Sequence, residues 1–140
     1  MNISKLRDQL MLHEGMRLKP YRCPAGYLTI GVGRNLKTRG ISAAEALHLL
    51  DNDIEYYTRR TRDLFENFDD LADARQRVLV NMCFNLGYQG LAGFIELRKA
   101  IADEDYTRAA REMDASRWAA QVGQRAVELA NMMIEGADAK

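Results

Sequence analysis

The chain has 140 residues, of which 47% are hydrophobic, and its 20 Lys and Arg residues balance 20 Asp and Glu residues. This length favours one domain, and the apolar fraction supplies a core without disulfides, which excludes a disordered chain and a disulfide-stapled miniprotein. The zero net charge argues against a protein whose whole surface binds nucleic acid.

The cysteines and the apolar runs predict a soluble chain from a reducing compartment. Cys23 and Cys83 are far apart, and with two histidines they form neither a zinc pattern nor a disulfide framework. We expect two free thiols, with a Cys23–Cys83 disulfide as the alternative. Charges near Met1 leave no visible signal peptide. The uncharged run over 78–95 contains Asn, Gln and Gly, which favours a buried helix and a turn over a membrane span.

The first predicted element is a helix over 3–14, followed by a small β region. Ser4 is the candidate N-cap, and Gly15 is the candidate stop. One face of this helix carries the apolar residues Ile3, Leu6 and Leu10, and the last residue of the helix, Glu14, lies on the same face. Residues 15–41 then hold five glycines and both prolines, and Pro24-Ala25-Gly26 is typical of a hairpin turn. The strand-favouring residues around it are Tyr21, Tyr27, Thr29, Ile30 and Val32.

From Ser42 onward the pattern is helical. Ser42-Ala-Ala-Glu45 has the form of a capping box, and an apolar stripe predicts a helix over about 42–65. The residues of that stripe, which we expect in the core, are Leu47, Leu50, Ile54, Tyr57, Thr61 and Leu64. Further helices are predicted over 73–86, 94–102, 105–114 and 124–135. The pattern therefore predicts an α+β chain.

Charge is distributed unevenly along the chain. Residues 15–44 contain six Lys and Arg residues and no Asp or Glu, so the remainder carries the compensating negative charge. The cations are Arg17, Lys19, Arg22, Arg34, Lys37 and Arg39. Such a segment is either a solvated basic face or a surface that attracts a polyanion, such as nucleic acid, anionic lipid or acidic glycan.

Glu14 stands immediately before this basic segment, at the end of the first predicted helix. Partial burial and the negative end of the helix dipole would both disfavour its anion. A carboxyl group held in the protonated form suits a general acid. By itself the pattern also fits a surface glutamate that ends a helix.

Two strings around this glutamate resemble the active-site stretch of the phage-type lysozymes (endolysins), a family of glycoside hydrolases. They are His13-Glu-Gly-Met-Arg-Leu-Lys-Pro-Tyr21 and Gly26-Tyr-Leu-Thr-Ile-Gly-Val-Gly33. The blocks at 77–87, 90–94, 116–118 and 124–126 are similar to the C-terminal lobe of that family, so the resemblance covers nearly the whole chain.

This resemblance implies a single lysozyme-like domain. Its parts would be a β-hairpin lobe over about 15–41, a helical lobe over about 1–14 and 66–140, and a connecting helix over about 42–65. The implied reaction is hydrolysis of the β-1,4 bond between N-acetylmuramic acid and N-acetylglucosamine in peptidoglycan, for host cell lysis. The resemblance also implies that the protein is a monomer that acts on peptidoglycan glycan strands. It implies no cofactor, no metal, no nucleic-acid partner and no stable membrane insertion.

Carried over residue by residue, the resemblance assigns Glu14, Cys23 and Thr29 as catalytic. The acidic residue that many members carry between the Glu and the Thr falls on Cys23, a position where the family uses either Asp or Cys. The implied substrate-binding residues are Asn35, Phe84, Asn85 and Arg117, with Arg125 as a supporting residue that would pair with the glutamate. For Trp118 we expect core packing rather than sugar stacking.

Cys23 replaces one of the two carboxylates that glycoside hydrolysis ordinarily uses. A thiol has an ordinary pKa of about 8.5, so it needs neighbours that stabilise its thiolate at neutral pH. We expect Arg22 and the basic segment to lower the pKa of Cys23 and a charged Glu14 to raise it. The thiolate would attack covalently or assist a water molecule, with Thr29 orienting either.

Two alternatives remain open from the sequence. A lytic transglycosylase needs only one catalytic glutamate and would leave a 1,6-anhydro end on the glycan. A catalytically silent wall-binding module would keep the fold without turnover. The resemblance to endolysins also implies that the protein accumulates in the host cytoplasm before lysis. After release it would act on the cell wall, in the periplasm.

Overall fold

The computed structural model describes residues 1–139, and their elements form two compact units, Met1–Leu49 and the chain from Leu50 onward. The first unit holds α1 (Ile3–Glu14), β1 (Arg17–Arg22), β2 (Leu28–Gly31) and β3 (Arg34–Asn35). Helix α2 (Ala43–Leu64) runs from the first unit into the second. The second unit continues with α3 (Asp73–Ala92), α4 (Ile95–Ala102), α5 (Tyr106–Asp114), α6 (Arg117–Val122) and α7 (Gln124–Glu135). This is the lysozyme-like α+β class that the sequence predicts.

Helix α1 has the predicted bounds, but its N-cap differs from the prediction. The side chain of Asn2 accepts a hydrogen bond from the backbone N–H of Lys5 at 2.9 Å, so Asn2 rather than Ser4 caps the helix. Its extended backbone allows the short carboxamide to reach a free N–H of the first turn. At the other end, Gly15 has φ +76° and donates its N–H to the carbonyl of Met11, which ends the helix as predicted.

The β region is a three-stranded antiparallel sheet in the order β1-β2-β3. The predicted turn at Pro24–Gly26 does join β1 to β2, and Arg22 pairs with Leu28 across it. Strand β3 was not predicted, because two residues are too few to show a period. Val32 was expected in a strand but lies in the turn that follows β2, where it is exposed.

The second unit is helical and contains the buried core. Helix α3 extends beyond the predicted residue 86 to Ala92, with a break at Gly87, whose φ is +77° and ψ is +168°. Helix α6 was missed because six residues span fewer than two turns and give no periodic signal. The largest fully buried side chains are Leu79, Met82, Leu91, Leu97, Ile101, Met113, Met133, Val78, Thr61 and Cys83.

Helix α2 confirms the predicted capping box. The N–H of Ser42 donates to Oε1 of Glu45 at 2.9 Å, and the N–H of Glu45 donates to Oγ of Ser42 at 3.1 Å. The expectation that its whole apolar stripe lies in the core is wrong. Only Thr61 and Leu64 are buried, because only the last turns of α2 pack into the core cluster. The exposed members of the stripe are Leu47, Leu50 and Ile54.

Glu45 is also paired with Arg34, Nη2 to Oε2 at 2.8 Å, and it has a pKa lowered to about 2. The hydrogen bond from Arg34 is the largest cause, followed by those from the backbone and side chain of Ser42. The folded chain therefore binds this proton less readily than the unfolded chain. The stability that the interaction contributes is present above the ordinary Glu pKa of about 4.3 and is lost as pH falls towards 2.

We therefore expect Glu45→Gln to lower Tm at neutral pH by a few degrees, with the difference disappearing as pH falls from about 5 towards 2. Thermal unfolding of both proteins across that pH range measures this. Asp53→Asn, an exposed position on the same helix, is the matched control and should change Tm little at any pH. A difference between native protein and Glu45→Gln that persists at pH 2 would contradict the prediction.

Both cysteines are free, and Cys83 is fully buried in α3. The uncharged run over 78–95 forms a helix followed by a turn, as expected, but only one face of that helix is buried, with Val78, Leu79, Met82, Cys83 and Leu91. Taken singly, the helices of the described chain are each too short or too polar to cross a bilayer. Only α3 and α4 taken together reach the required length and composition, and that pair bends by 103°.

Candidate active site

Glu14 is the last residue of α1, and its carboxylate lies against the backbone of Gly33. A Cβ atom at position 33 would come within 2.9 Å of the Glu14 Oε2, so only glycine permits this approach without displacing the carboxylate. Gly33 also has φ +67°, a conformation that other residues rarely adopt. The expected partial burial of Glu14 is wrong, since its side chain is exposed: the α1 residues on its face do not form a buried core.

Cys23 directly follows β1 and closes the hairpin turn through its backbone. Its N–H donates to the carbonyl of Tyr27 at 3.0 Å, and its own carbonyl accepts from the N–H of Gly26 at 2.7 Å. These two bonds fix the backbone on both sides of the side chain, which is half-buried. The turn therefore holds the thiol in a defined position at the end of the hairpin.

The pKa of the Cys23 thiol is lowered, and the main cause is hydrogen bonding from the backbone at Tyr27. Burial opposes this shift, while the backbone at Ala25 and Gly26 and the side chain of Thr29 add to it. We expected the neighbouring Arg22 to lower the pKa, but its Nη1 instead donates to the carbonyl of Gly26 at 2.9 Å. The backbone of the turn therefore favours the thiolate, because its hydrogen bonds stabilise the charged form.

Thr29 lies in the middle strand with only 3% of its surface exposed. Its hydroxyl donates to the carbonyl of Tyr27 at 2.8 Å. The hydroxyl has one proton, so it can donate either to that carbonyl or to the Cys23 thiolate. The hydrogen bond to Cys23 is one of the causes that lower the pKa of the thiol. Thr29 is therefore placed beside the thiol, as a residue that orients it would be.

Asn35, an expected substrate-binding residue, pairs with Thr29 across β2 and β3. Its Oδ1 accepts from the backbone N–H groups of Lys37 and Thr38, both at 3.0 Å. Because the carboxamide oxygen builds the turn after β3, the Nδ2 group is the part of this side chain that can bind a ligand.

The basic segment is not uniformly available to a polyanion. Arg34 donates to the carbonyl of Gly40 at 3.0 Å and to Glu45 at 2.9 Å, so its charge is neutralised within the unit. Lys37 and Arg39 are exposed in the turn that follows β3. Lys37 and Arg39, unlike Arg34, are therefore available to a polyanion.

In the second unit, Phe84 and Asn85 lie on α3 just before the break at Gly87. Phe84 keeps 42% of its surface exposed. The Oδ1 of Asn85 accepts a hydrogen bond of 2.7 Å from Nε1 of Trp118, whose side chain is 4% exposed. Core packing of Trp118 is thus confirmed, and its one polar atom is satisfied by a candidate substrate-binding residue.

We expect Asn85→Ala to lower the free energy of unfolding by about 1–2 kcal/mol, because it leaves the buried indole N–H without a partner. Denaturant unfolding followed by the fluorescence of Trp118, the only tryptophan, measures this directly. Gln89→Ala, at an exposed position on the same helix, is the control. Equal unfolding free energies for Asn85→Ala and Gln89→Ala would contradict the assigned role of this hydrogen bond.

Arg117 begins α6 and lines a cavity of about 750 Å³ in the second unit, together with Trp118 and Phe94. Its side chain is exposed, and Ser116 before it caps the helix by accepting from the N–H of Ala119 at 3.1 Å. The cap fixes the start of α6 and so the position of Arg117 at the edge of this cavity.

Arg125 forms a bidentate contact with Asn81, from Nε at 3.0 Å and Nη2 at 2.7 Å to the same Oδ1. Sequence reasoning missed Asn81, although it lies one helical turn before Asn85 on α3 and could have been found by that spacing. Glu14, Cys23, Thr29 and Asn35 thus belong to the first unit; Phe84, Asn85, Arg117 and Arg125 belong to the second. The role of each in catalysis or binding stays a prediction.

A family model described as phage lysozyme matches residues 11–132. The chain belongs to the phage lysozyme family. It is 24% identical to the probable T4-type lysozyme 1 of Dictyostelium discoideum, over 96% of each chain. It is 30% identical to the SAR-endolysin of Escherichia phage Mu, over 94% of this chain and 81% of that protein. Membership of the phage lysozyme family indicates a glycosidase that degrades peptidoglycan.

Proposed function

We propose that the chain hydrolyses the β-1,4 bond between N-acetylmuramic acid and N-acetylglucosamine in peptidoglycan, with Glu14 as the general acid. One observation supports the assignment of the residues: the hairpin carries Cys23 in its turn and Thr29 on β2, and the chain then leads to Gly33, against which the carboxylate of Glu14 lies. The first unit therefore contains both the proposed acid, Glu14, and a thiol, Cys23, whose pKa is lowered.

The first chemical step breaks the bond between the anomeric carbon and the glycosidic oxygen. Protonated Glu14 gives its proton to that oxygen, which leaves with the bonding electron pair as the hydroxyl of the departing sugar. The anomeric carbon becomes electron-poor and needs a nucleophile. Exposure of Glu14 allows its carboxylate to regain a proton from water after each turnover.

The Cys23 thiolate supplies the nucleophile by one of two routes. In the first route the thiolate takes a proton from a water molecule that attacks the anomeric carbon. In the second route the sulfur bonds to that carbon, and a water molecule later displaces the sulfur. In both routes the sugar gains a hydroxyl, and the thiol returns to its starting state after proton exchange with water. Thr29 orients the thiolate or the water through its hydroxyl.

Product analysis tests this proposal. Purified peptidoglycan digested by the native protein should yield fragments that end in reducing N-acetylmuramic acid, detected by mass spectrometry before and after borohydride reduction. Fragments with 1,6-anhydro ends would show a lytic transglycosylase instead, and no soluble fragments would indicate a silent wall-binding module. Either of these results overturns the proposed hydrolysis.

The exposed cations after β3 are expected to attract the carboxylates of peptidoglycan. Joint charge reversal, Lys37→Glu with Arg39→Glu, should weaken binding to isolated cell walls several-fold at low salt and flatten its salt dependence. Sedimentation of the protein with walls across ionic strength measures this, and Lys5→Glu on α1 is the control. Unchanged salt dependence in the double variant would contradict electrostatic steering.

We also propose a role in host lysis, in which the chain accumulates in the host cytoplasm and reaches the wall after release. The name of the phage Mu relative, an endolysin, supports the role in lysis. Expression in bacteria followed by cell fractionation tests it. Lysis that begins only after the membrane is permeabilised is the expected result, and lysis without permeabilisation would contradict the cytoplasmic stage.

A further inference from the structure

A depression in the hairpin, which the proposed mechanism does not use, brings together two cations of the basic segment. It has a volume of about 480 Å³ and is called here the Lys37 depression. Its lining residues come from the end of β1, the hairpin turn, β2 and the chain after β3, and they are Arg22, Gly26, Tyr27, Leu28, Leu36 and Lys37. All of them belong to the first unit, so the depression is formed within one compact unit.

Hydrogen bonds fix both sides of the Lys37 depression. On one side, Nη1 of Arg22 donates to the carbonyl of Gly26 at 2.9 Å, which holds the guanidinium against the turn. On the other side, the backbone N–H of Lys37 donates to Oδ1 of Asn35 at 3.0 Å, which holds the turn after β3. The two positive side chains therefore extend from backbone segments whose positions are set before a ligand arrives.

Both cations of the Lys37 depression are available to an anion. Within the described residues neither Arg22 nor Lys37 forms an ion pair, whereas Arg34 of the same segment is paired with Glu45. Residues 15–44 also contain no Asp or Glu that could compete. A carboxylate has two acceptor oxygens, so it can accept from the free N–H groups of Arg22 and from the ammonium group of Lys37 together.

The Lys37 depression also has an apolar wall, and it lies on a defined face of the sheet. Tyr27 and Leu28 keep 42% and 41% of their surface exposed. Arg22 pairs with Leu28 across the hairpin, so these two side chains share one face, and the next residue, Thr29, points to the other face. A ligand in the depression therefore does not occupy the place of the proposed catalytic hydroxyl.

We propose that the Lys37 depression is a second, non-catalytic binding site for peptidoglycan, and that it binds the free α-carboxylate of glutamate in a stem peptide. For its ligand this inference rests on the proposed function. The sugars supply no free carboxylate, because the lactyl carboxyl of N-acetylmuramic acid is bonded as an amide to the peptide. The glutamate of the peptide is linked onward through its γ-carboxyl, which leaves its α-carboxylate free unless it is amidated.

This assignment uses both parts of the Lys37 depression. The carboxylate pairs with Arg22 and Lys37, while the methyl and methylene groups of the peptide pack on Tyr27 and Leu28. Such a site holds the protein on the wall through peptides other than the sugar bond being cleaved. It also favours walls whose glutamate is not amidated, because a neutral carboxamide forms weaker hydrogen bonds with the two cations.

Titration of the full chain with two short peptides, followed by NMR of backbone amides, tests the proposal. The first is N-acetyl-L-alanyl-D-glutamine, whose side-chain amide reproduces the γ-linkage and whose α-carboxylate is free. The second is its α-amide, which differs only at that group. The carboxylate form should bind about tenfold more tightly and shift the amides of Arg22, Tyr27 and Lys37. Equal affinity for the two peptides, or shifts confined to other residues, overturns the proposal.

A matched pair of variants distinguishes a defined site from diffuse attraction. Lys37→Gln should remove most of the tenfold preference for the carboxylate form. Arg39→Gln is the control, since Arg39 is the other exposed cation of the same turn and does not line the depression. It should leave the preference within a factor of about two, the range expected of a surface substitution. Equal losses in the two variants would overturn the proposal in favour of diffuse attraction.

Peptide binding and bond cleavage are separate measurements, so the two proposals can fail independently. The titration involves no turnover, and it remains decisive for the native protein even if a variant fails to fold. A preference for the carboxylate peptide without hydrolysis of peptidoglycan would overturn the proposed function alone. Hydrolysis of peptidoglycan without that preference would overturn the role of the Lys37 depression alone.

Discussion

Glu14→Gln is expected to lower kcat on peptidoglycan by roughly a thousandfold, because glutamine has the shape of glutamic acid but cannot donate a proton to the glycosidic oxygen. The amide fits beside Gly33 as the carboxylate does, so the fold and wall binding should be retained. The decrease in turbidity of a peptidoglycan suspension measures turnover, and cosedimentation with walls measures binding.

Asp8→Asn is the matched control for this prediction, since Asp8 lies on the same helix and is exposed. It should leave kcat within a factor of about two of the native value, the range expected of a surface substitution. If Glu14→Gln instead turned over peptidoglycan at the native rate, Glu14 would not be the general acid. Loss of wall binding together with turnover would point to a structural rather than a chemical role.

Cys23→Ser should lower kcat by roughly a hundredfold or more, because a serine hydroxyl does not ionise near neutral pH and cannot replace a thiolate as base or nucleophile. Cys23→Asp should restore a large part of the activity, since a carboxylate can take the same role. In the native protein the thiolate fraction rises as pH increases through the lowered pKa of Cys23. The rise of kcat with pH on this limb should disappear in Cys23→Asp.

The pH dependence of kcat for the three proteins decides between a chemical and a structural role of the thiol. A Cys23→Ser protein that keeps full activity across pH would exclude the thiolate mechanism. Cys83→Ala, at the fully buried thiol of α3, is the control for general loss of a sulfur atom. It should lower stability through the cavity it creates while leaving the pH profile of the folded protein unchanged.

The elements that could be predicted are those specified by neighbours in the chain. The bounds of α1, the capping box of α2 and the turn at Pro24–Gly26 each depend on hydrogen bonds between residues a few positions apart. Such bonds leave direct residue signatures, so the sequence shows them. The short elements β3 and α6 left none, since two strand residues and six helical residues are too few for a pattern to repeat.

The sequence by itself determined the α+β class, the family and the residues that carry the family motif, from Glu14 to Thr29. The tertiary structure alone decided how those side chains are surrounded. Arg34 pairs with Glu45, eleven residues on, and Arg125 with Asn81, 44 residues away. The exposure of Glu14 and the source of the lowered pKa of Cys23 likewise follow from which groups the fold brings close. Burial and electrostatics act through space, and residue order alone does not fix those distances.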